Sequence, residues 1–176
     1  MFQGRQVIEF FLGGARSGKS RLAEQSALDS GMELVYIATA QMRDGEMAER
    51  ITHHRQQRGN GWVTVEESLQ LVTALQRECR HNRCVLVDCL TLWLSNWLEH
   101  DPAGWQQAQA ELLALLPTLK GKIIFVSNEV GQGVVPVNAL ARKFVDESGR
   151  LHQALATISD TVYFVIAGIP QVIKEK

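Results

Sequence analysis

Cysteine is scarce in this chain, with three residues, Cys79, Cys84 and Cys89. An odd count argues against a disulfide framework, and the spacing matches no zinc site. Cys84 and Cys89 flank a predicted strand, so they read as small core hydrophobes. An excess of one charge is also missing. Lys plus Arg total 18 against 19 for Asp plus Glu, which leaves no basic footprint for nucleic acid. No apolar run approaches the ~20 residues of a membrane helix. Met1-Phe2-Gln3-Gly4-Arg5 shows neither the charged n-region nor the apolar h-region of a signal peptide. The expectation is a cytoplasmic protein with no nucleic-acid partner and no membrane insertion. Internal repeats, linkers and low-complexity segments are absent too. The 176 residues, 45% hydrophobic and 21% charged, suggest one domain over residues 1–176 that can bury a core without staples.

What is present is a phosphate-binding pattern. Gly13-Gly14-Ala15-Arg16-Ser17-Gly18-Lys19-Ser20 fits G-x-x-x-x-G-K-[ST] at every fixed position. An apolar run, Val7-Ile8-Glu9-Phe10-Phe11-Leu12, precedes it and reads as a buried strand. Arg21-Leu22-Ala23-Glu24-Gln25-Ser26-Ala27-Leu28 follows and reads as a helix. In that context the backbone N–H groups of the loop can turn inward around an anion, and the helix N-terminus adds partial positive charge. Lys19 can reach the β- and γ-phosphates, and the Ser20 hydroxyl can ligate Mg²⁺.

Further apolar runs read as strands at Leu34-Val35-Tyr36-Ile37-Ala38, Cys84-Val85-Leu86-Val87-Asp88, Lys122-Ile123-Ile124-Phe125-Val126 and residues 161–167. Trp62-Val63-Thr64-Val65 alternates like a shorter one and ends at Glu66. Helices are predicted between them. One starts at a Ser68 N-cap, with Leu69, Val72, Leu75 and Cys79 at period 3.6. Another covers residues 90–98 and carries Trp93 and Trp97, for which core or subunit packing is the favoured reading. A third covers 103–116, with Asp101 as N-cap and Pro102 at N1. A long one follows Asn138 to about residue 156, with His152 read as a surface or satisfied histidine. Residues 130–137 form a glycine-containing loop of mobile or ligand-shaped character. After Gly168-Ile169-Pro170 only a short tail is expected. Near-continuous apolar strands alternating with helices mean an α/β fold with a mostly parallel sheet covered on both faces. Its ligand edge lies at the carboxyl ends of the strands. Asp88, ending an apolar strand downstream of the loop, has the Walker B arrangement, in which a carboxylate helps hold Mg²⁺.

Residues 46 to about 57 read as a polar helix containing His53 and His54. Adjacent helical residues point about 100° apart, so the two histidines cannot share one ligand simply. A solvated surface helix with two incidental histidines is as good a reading of that spacing as a reactive one. Two broad classes remain open. One is an enzyme moving a phosphoryl or nucleotidyl group to a small molecule; the other is a nucleotide-driven switch or motor module. No N-K-x-D guanine-reading motif is present, and the length favours a compact metabolic kinase.

The glycine loop resembles that of the bifunctional adenosylcobinamide kinase / adenosylcobinamide-phosphate guanylyltransferase family. The likeness continues through Tyr36-Ile37-Ala38-Thr39-Ala40, Glu46-Met47-Ala48-Glu49-Arg50-Ile51 and His54-Arg55, then Trp62 and Glu66. It runs on through Val87-Asp88-Cys89-Leu90-Thr91, Ser127-Asn128-Glu129-Val130-Gly131 and Ala167-Gly168-Ile169-Pro170. The resemblance implies a P-loop NTPase fold of the RecA-like kind, a three-layer sandwich. It implies two reactions: phosphorylation of adenosylcobinamide by ATP or GTP, then transfer of GMP from GTP through a GMP-histidine intermediate. The family motif has an arginine–isoleucine pair, two further positions, then the histidine followed directly by an arginine. Arg50-Ile51 and Arg55 therefore point to His54 as nucleophile, not His53. Ala38, Thr39, Ala40, Arg55, Gln56, Gln57, Arg58 and Glu66 are implied to line the nucleotide site with residues 13–20 and Asp88. Lys19 is implied as catalytic, and Ser20 and Asp88 as ligands of Mg²⁺. Gly59 stands where many relatives have proline, and Asp88 where some carry glutamate. The resemblance also implies a homotrimer, for which the histidine helix and exposed tryptophans are candidate surfaces. The alternatives are a P-loop kinase of another small alcohol and a regulatory nucleotide-binding module.

Overall fold

The structure, a computed structural model, describes residues 6–41 and 61–176. The predicted histidine helix lies outside them. The strands are β1 (Val7–Gly13), β2 (Glu33–Ala38), β3 (Trp62–Glu66), β4 (Arg83–Asp88), β5 (Lys122–Asn128), β6 (Thr161–Ile166) and β7 (Ile169–Glu175). The helices are α1 (Lys19–Asp29), α2 (Leu71–Glu78), α3 (Leu90–His100), α4 (Trp105–Leu115) and α5 (Ala139–Ile158).

Among the described residues all seven strands join one sheet in the order β3-β2-β4-β5-β1-β6-β7. Every pairing is parallel except β6 with β7. Because side chains alternate along a strand, a strand covered on both faces must be apolar at successive positions. β1 shows this plainly. Phe10 belongs to the cluster that holds the buried side chains of α2, α3, α4 and α5, and Phe11 to the cluster on the other face that holds Ala23 and Ala27 of α1. The helices therefore cover both faces of the sheet, and the carboxyl ends of the six parallel strands share one edge.

Four expectations are corrected. The tail beyond Pro170 is a strand, β7, turned back along β6 at Ala167-Gly168. It is the edge strand, where a proline costs no interior ladder bond. The second helix begins at Leu71 rather than Ser68. The Glu67 carboxylate accepts from Leu69 N (2.9 Å) and Gln70 N (2.8 Å), and the Ser68 hydroxyl accepts from Gln41 Nε2 instead. Asp101 and Pro102 belong to a turn before α4, closed by Gly104 N donating to Asp101 O. The tryptophans are mostly interior, as the core reading of Trp93 and Trp97 has it, so what is corrected is their mention as exposed candidates for a subunit surface. Trp93 and Trp105 are fully buried edge to face with centroids 5.0 Å apart, and Trp97 is half-buried. The indoles of Trp93 and Trp97 both donate to Leu69 O. Asn138 caps α5 as expected, its Oδ1 accepting from Leu140 N (2.8 Å) and Ala141 N (3.1 Å).

Candidate nucleotide site

The glycine loop leaves β1 in the interior of the sheet, between β5 and β6. Gly13 has no room for a side chain. A Cβ there would sit 2.5 Å from Val165 O and 2.8 Å from Ser17 Oγ. Gly18 holds φ +93°, a left-handed conformation that favours glycine, directly before α1. Arg16 is also left-handed at φ +56°. Between them Ser17 N donates to Gly14 O (3.2 Å), and Gly168 N of the β6–β7 turn donates to Ser17 O (2.7 Å). The loop is thus tied within itself and to the last hairpin. Ala15 and Arg16 are exposed, and Ser20 is half-buried at the start of the helix.

Lys19 is buried, and its ammonium donates to Gly14 O at 3.1 Å, folding the side chain back over the loop. Burial lowers its pKa from the ordinary lysine value, and the nearby Asp88 and Cys89 act in the opposite direction. Such a cation is under-compensated, so a phosphate against it would recover part of the desolvation cost.

Asp88 ends β4, separated from β1 by β5 alone. Tyr36 Oη donates to its Oδ2 at 3.1 Å. The position of Asp88 is fixed from behind. Thr39 N donates to Asp88 O, the Thr39 hydroxyl donates to Cys89 O (2.7 Å), and Cys89 N donates back to it (2.8 Å). Asn96 on α3 then donates to Thr39 O (2.8 Å) and Ser68 O (3.0 Å). The Thr39 side chain is therefore buried and committed to this clip. Ala38 is buried, Ala40 is half-buried, and Glu66 is exposed at the end of β3. Glu67 N donates to Ala38 O, joining those two strand ends.

The fold so brings residues 13–20, Ala38, Thr39, Ala40, Glu66 and Asp88 to one sheet edge. His54, Arg55, Gln56, Gln57 and Arg58 lie outside the described residues. The next strand end adds groups the sequence marked only as polar. Asn128 Nδ2 donates to Thr91 Oγ1 (3.1 Å), and Glu129 N donates to Gly13 O (3.0 Å). Ser127 and His152 meet in the interior with Oγ and Nε2 2.7 Å apart. His152 is buried on α5, not at the surface, and burial pushes its pKa down to about 4 although Glu129 acts against it. The side-chain roles of Tyr36 and Asn96 escaped the sequence reading because an isolated polar group inside an apolar run or helix has no spacing signature. The cysteines behave as core groups, since burial raises their thiol pKa values to about 12, 12 and 11 in chain order.

Among the described residues, no three His, Cys, Asp or Glu side chains group to hold a metal ion. No helix among them is long and apolar enough to cross a membrane.

A glycine loop on an interior parallel strand, a buried lysine folded over it and a carboxylate two strands away define a P-loop NTPase. Solved structures agree on the fold. The RadB recombinase superposes with TM-score 0.53 at 18% identity, covering 90% of this chain and 73% of that one. The flagellar accessory protein FlaH from Methanocaldococcus jannaschii gives 0.55 at 12% identity, covering 97% and 79%. Closer kinship comes from sequence. The model of the cobinamide kinase / cobinamide phosphate guanyltransferase family matches residues 9–173, so the chain belongs to that family and is an enzyme of its two activities. The bifunctional adenosylcobalamin biosynthesis protein CobP of Pseudomonas aeruginosa is 52% identical over 167 residues, covering 94% of this chain and 96% of its own length. The protein CobU of Escherichia coli, which carries the same description, is 42% identical over 176 residues, covering 92% and 97%.

Proposed function

We propose that this chain is one catalytic domain, residues 1–176, that phosphorylates adenosylcobinamide and then guanylylates the product through His54. The observation that carries the nucleotide site is the buried Lys19 ammonium folded over the glycine loop, at the same sheet edge as Asp88.

In the first reaction the substrate hydroxyl oxygen attacks the γ-phosphorus of ATP or GTP. A new P–O bond forms, the β–γ bridge breaks, and the nucleoside diphosphate leaves. Residues 13–20 hold the phosphates by backbone N–H groups, and Lys19 stabilises the charge that builds on the transferred group. Ser20 and Asp88 would hold Mg²⁺. They suit it as hard oxygen donors, and a magnesium site that takes its other ligands from phosphates and water needs no larger acidic cluster. When bound, the ion would neutralise phosphate charge. Ala38, Thr39, Ala40, Glu66 and the segment Arg55-Gln56-Gln57-Arg58 would complete the nucleotide site, the arginines by charge-assisted hydrogen bonds to phosphate.

In the second reaction an imidazole nitrogen of His54 attacks the α-phosphorus of GTP. A P–N bond forms, the α–β bridge breaks, and pyrophosphate leaves. A phosphate oxygen of adenosylcobinamide phosphate then attacks the same phosphorus, the P–N bond breaks, and His54 is freed. Imidazole suits this role because its reference pKa of ~6.5 leaves it largely neutral at pH 7. The biosynthetic relatives support a cytoplasmic setting, and the family resemblance supports a homotrimer.

The test uses GTP labelled in its α-phosphate with Mg²⁺, followed by denaturation. An acid-labile, alkali-stable adduct is expected in the wild type and in His53→Ala, and none in His54→Ala. A protein that binds GTP yet forms no adduct would leave a plain kinase. An adduct lost only in His53→Ala would move the nucleophile by one residue.

A further inference from the structure

The described surface carries large apolar side chains where the phosphate edge meets solvent. Val134 is 96% exposed, Val135 72% and Val137 95%, all in the loop from β5 to α5. Leu140, just inside α5, is 59% exposed. On the opposite flank of β1, Ile166 and Ile169 border the β6–β7 turn at 58% and 70%. Single exposed apolar residues are ordinary, but grouped ones mark a binding surface. These groups stand where β5 and β6, the two neighbours of β1, reach the site edge.

Gly168 N donates to Ser17 O, so the turn between Ile166 and Ile169 is tied to the glycine loop, and Glu129 N donates to Gly13 O where the valine loop leaves β5. At the far end of the valine loop, Arg142 Nη1 donates to the carbonyls of Pro136 and Val137, and Asn138 caps α5. The chain spends hydrogen bonds to display valines outward rather than fold them under. Residues 130–137 contain no charged side chain, which suits a neutral ligand and not a phosphate.

We propose that these two rims seat the corrin macrocycle of the cobinamide substrate beside the phosphate loop. The inference rests on the family reading of the substrate. Cobinamide has broad, methyl-bearing apolar ring faces, amide-tipped arms and one arm ending in the reactive hydroxyl. That hydroxyl must reach the γ-phosphorus over Lys19, so the ring must lie against the ground just beside the glycine loop. The segments that carry the rims leave the sheet from β5 and β6, the two neighbours of β1, and burying their methyl groups against the ring would supply binding energy remote from the reacting atoms.

The experiment measures the KM values for adenosylcobinamide and for GTP in the kinase reaction of the full chain, with sedimentation of each variant. Val134→Ser combined with Val137→Ser is expected to raise the corrinoid KM by about tenfold or more, with the GTP KM and the sedimentation coefficient unchanged. Ile173→Ser, on β7 and 57% exposed, is expected to leave the corrinoid KM unchanged. An unchanged corrinoid KM in the double variant overturns the proposal, as does an equal rise in Ile173→Ser. A joint rise of both KM values with altered sedimentation assigns the surface to a second copy of the chain and also overturns it. A wild-type chain that binds GTP but does not phosphorylate adenosylcobinamide fails at the family reading instead, a result the other outcomes do not produce.

Discussion

Acid should weaken this fold through His152. The residue is buried on α5 against Ser127, with the Phe10 ring centroid 5.6 Å away. Its pKa is pushed down to about 4, chiefly by burial. The unfolded chain returns it to ~6.5. Since the native value is the lower one, the unfolded state binds the extra proton. The stabilising contribution is whole above pH ~6.5 and is lost as pH falls toward ~4. Over the ~1.5 units from 6.5 to 5, at ~1.36 kcal/mol per unit, this amounts to about 2 kcal/mol. That is a large part of a typical stability of 5–15 kcal/mol. The assay is urea unfolding of the wild type and His152→Gln at pH 7.5 and pH 5. Glutamine keeps an amide for Ser127 and cannot titrate. Between the two pH values the wild type should lose about 2 kcal/mol more than the variant. Equal losses would refute the reasoning, for they would show that this imidazole accepts a proton without cost to the fold.

Two further outcomes follow from backbone geometry. Gly13→Ala sets a methyl group against Val165 O and Ser17 Oγ, so it should destabilise the chain by about 1–3 kcal/mol and weaken GTP binding; thermal melting and GTP titration read both. Asn138→Ala removes the acceptor for Leu140 N and Ala141 N and should cost about 1 kcal/mol in denaturant unfolding.

The sheet interior was legible because a parallel strand buried on both faces is apolar at every position, as at Cys84-Val85-Leu86-Val87. The glycine loop was legible because phosphate binding restricts residue types at fixed spacing. Edges obey looser rules. Ile169-Pro170-Gln171-Val172-Ile173 reads as a tail, since a strand paired on one side alone tolerates proline and polar residues. Helix starts slipped for a similar reason: Ser68 and Asp101 both can cap, but Glu67 takes the amides before α2, and Asp101 Oδ1 accepts from Ala103 N inside a turn that precedes α4. The clip of Thr39, Cys89 and Asn96 joins residues distant in sequence, and each is common in other settings. Of the two readings of His152, surface or satisfied, the structure takes the second, and a lone histidine on an amphipathic helix carries no sign of the serine it will meet across the core.

The pairing of β1 has a consequence for the birth of the enzyme. Phe10 lies beside Phe125 and Val162, so β1 waits for partners made more than a hundred residues later. At about 5–20 residues per second a ribosome needs on the order of ten seconds to supply them. The glycine loop waits longer still for Gly168 to reach Ser17. A nascent chain therefore carries the phosphate-binding sequence well before it owns a phosphate-binding site, and nucleotide cannot act as a template for the early stages of its folding.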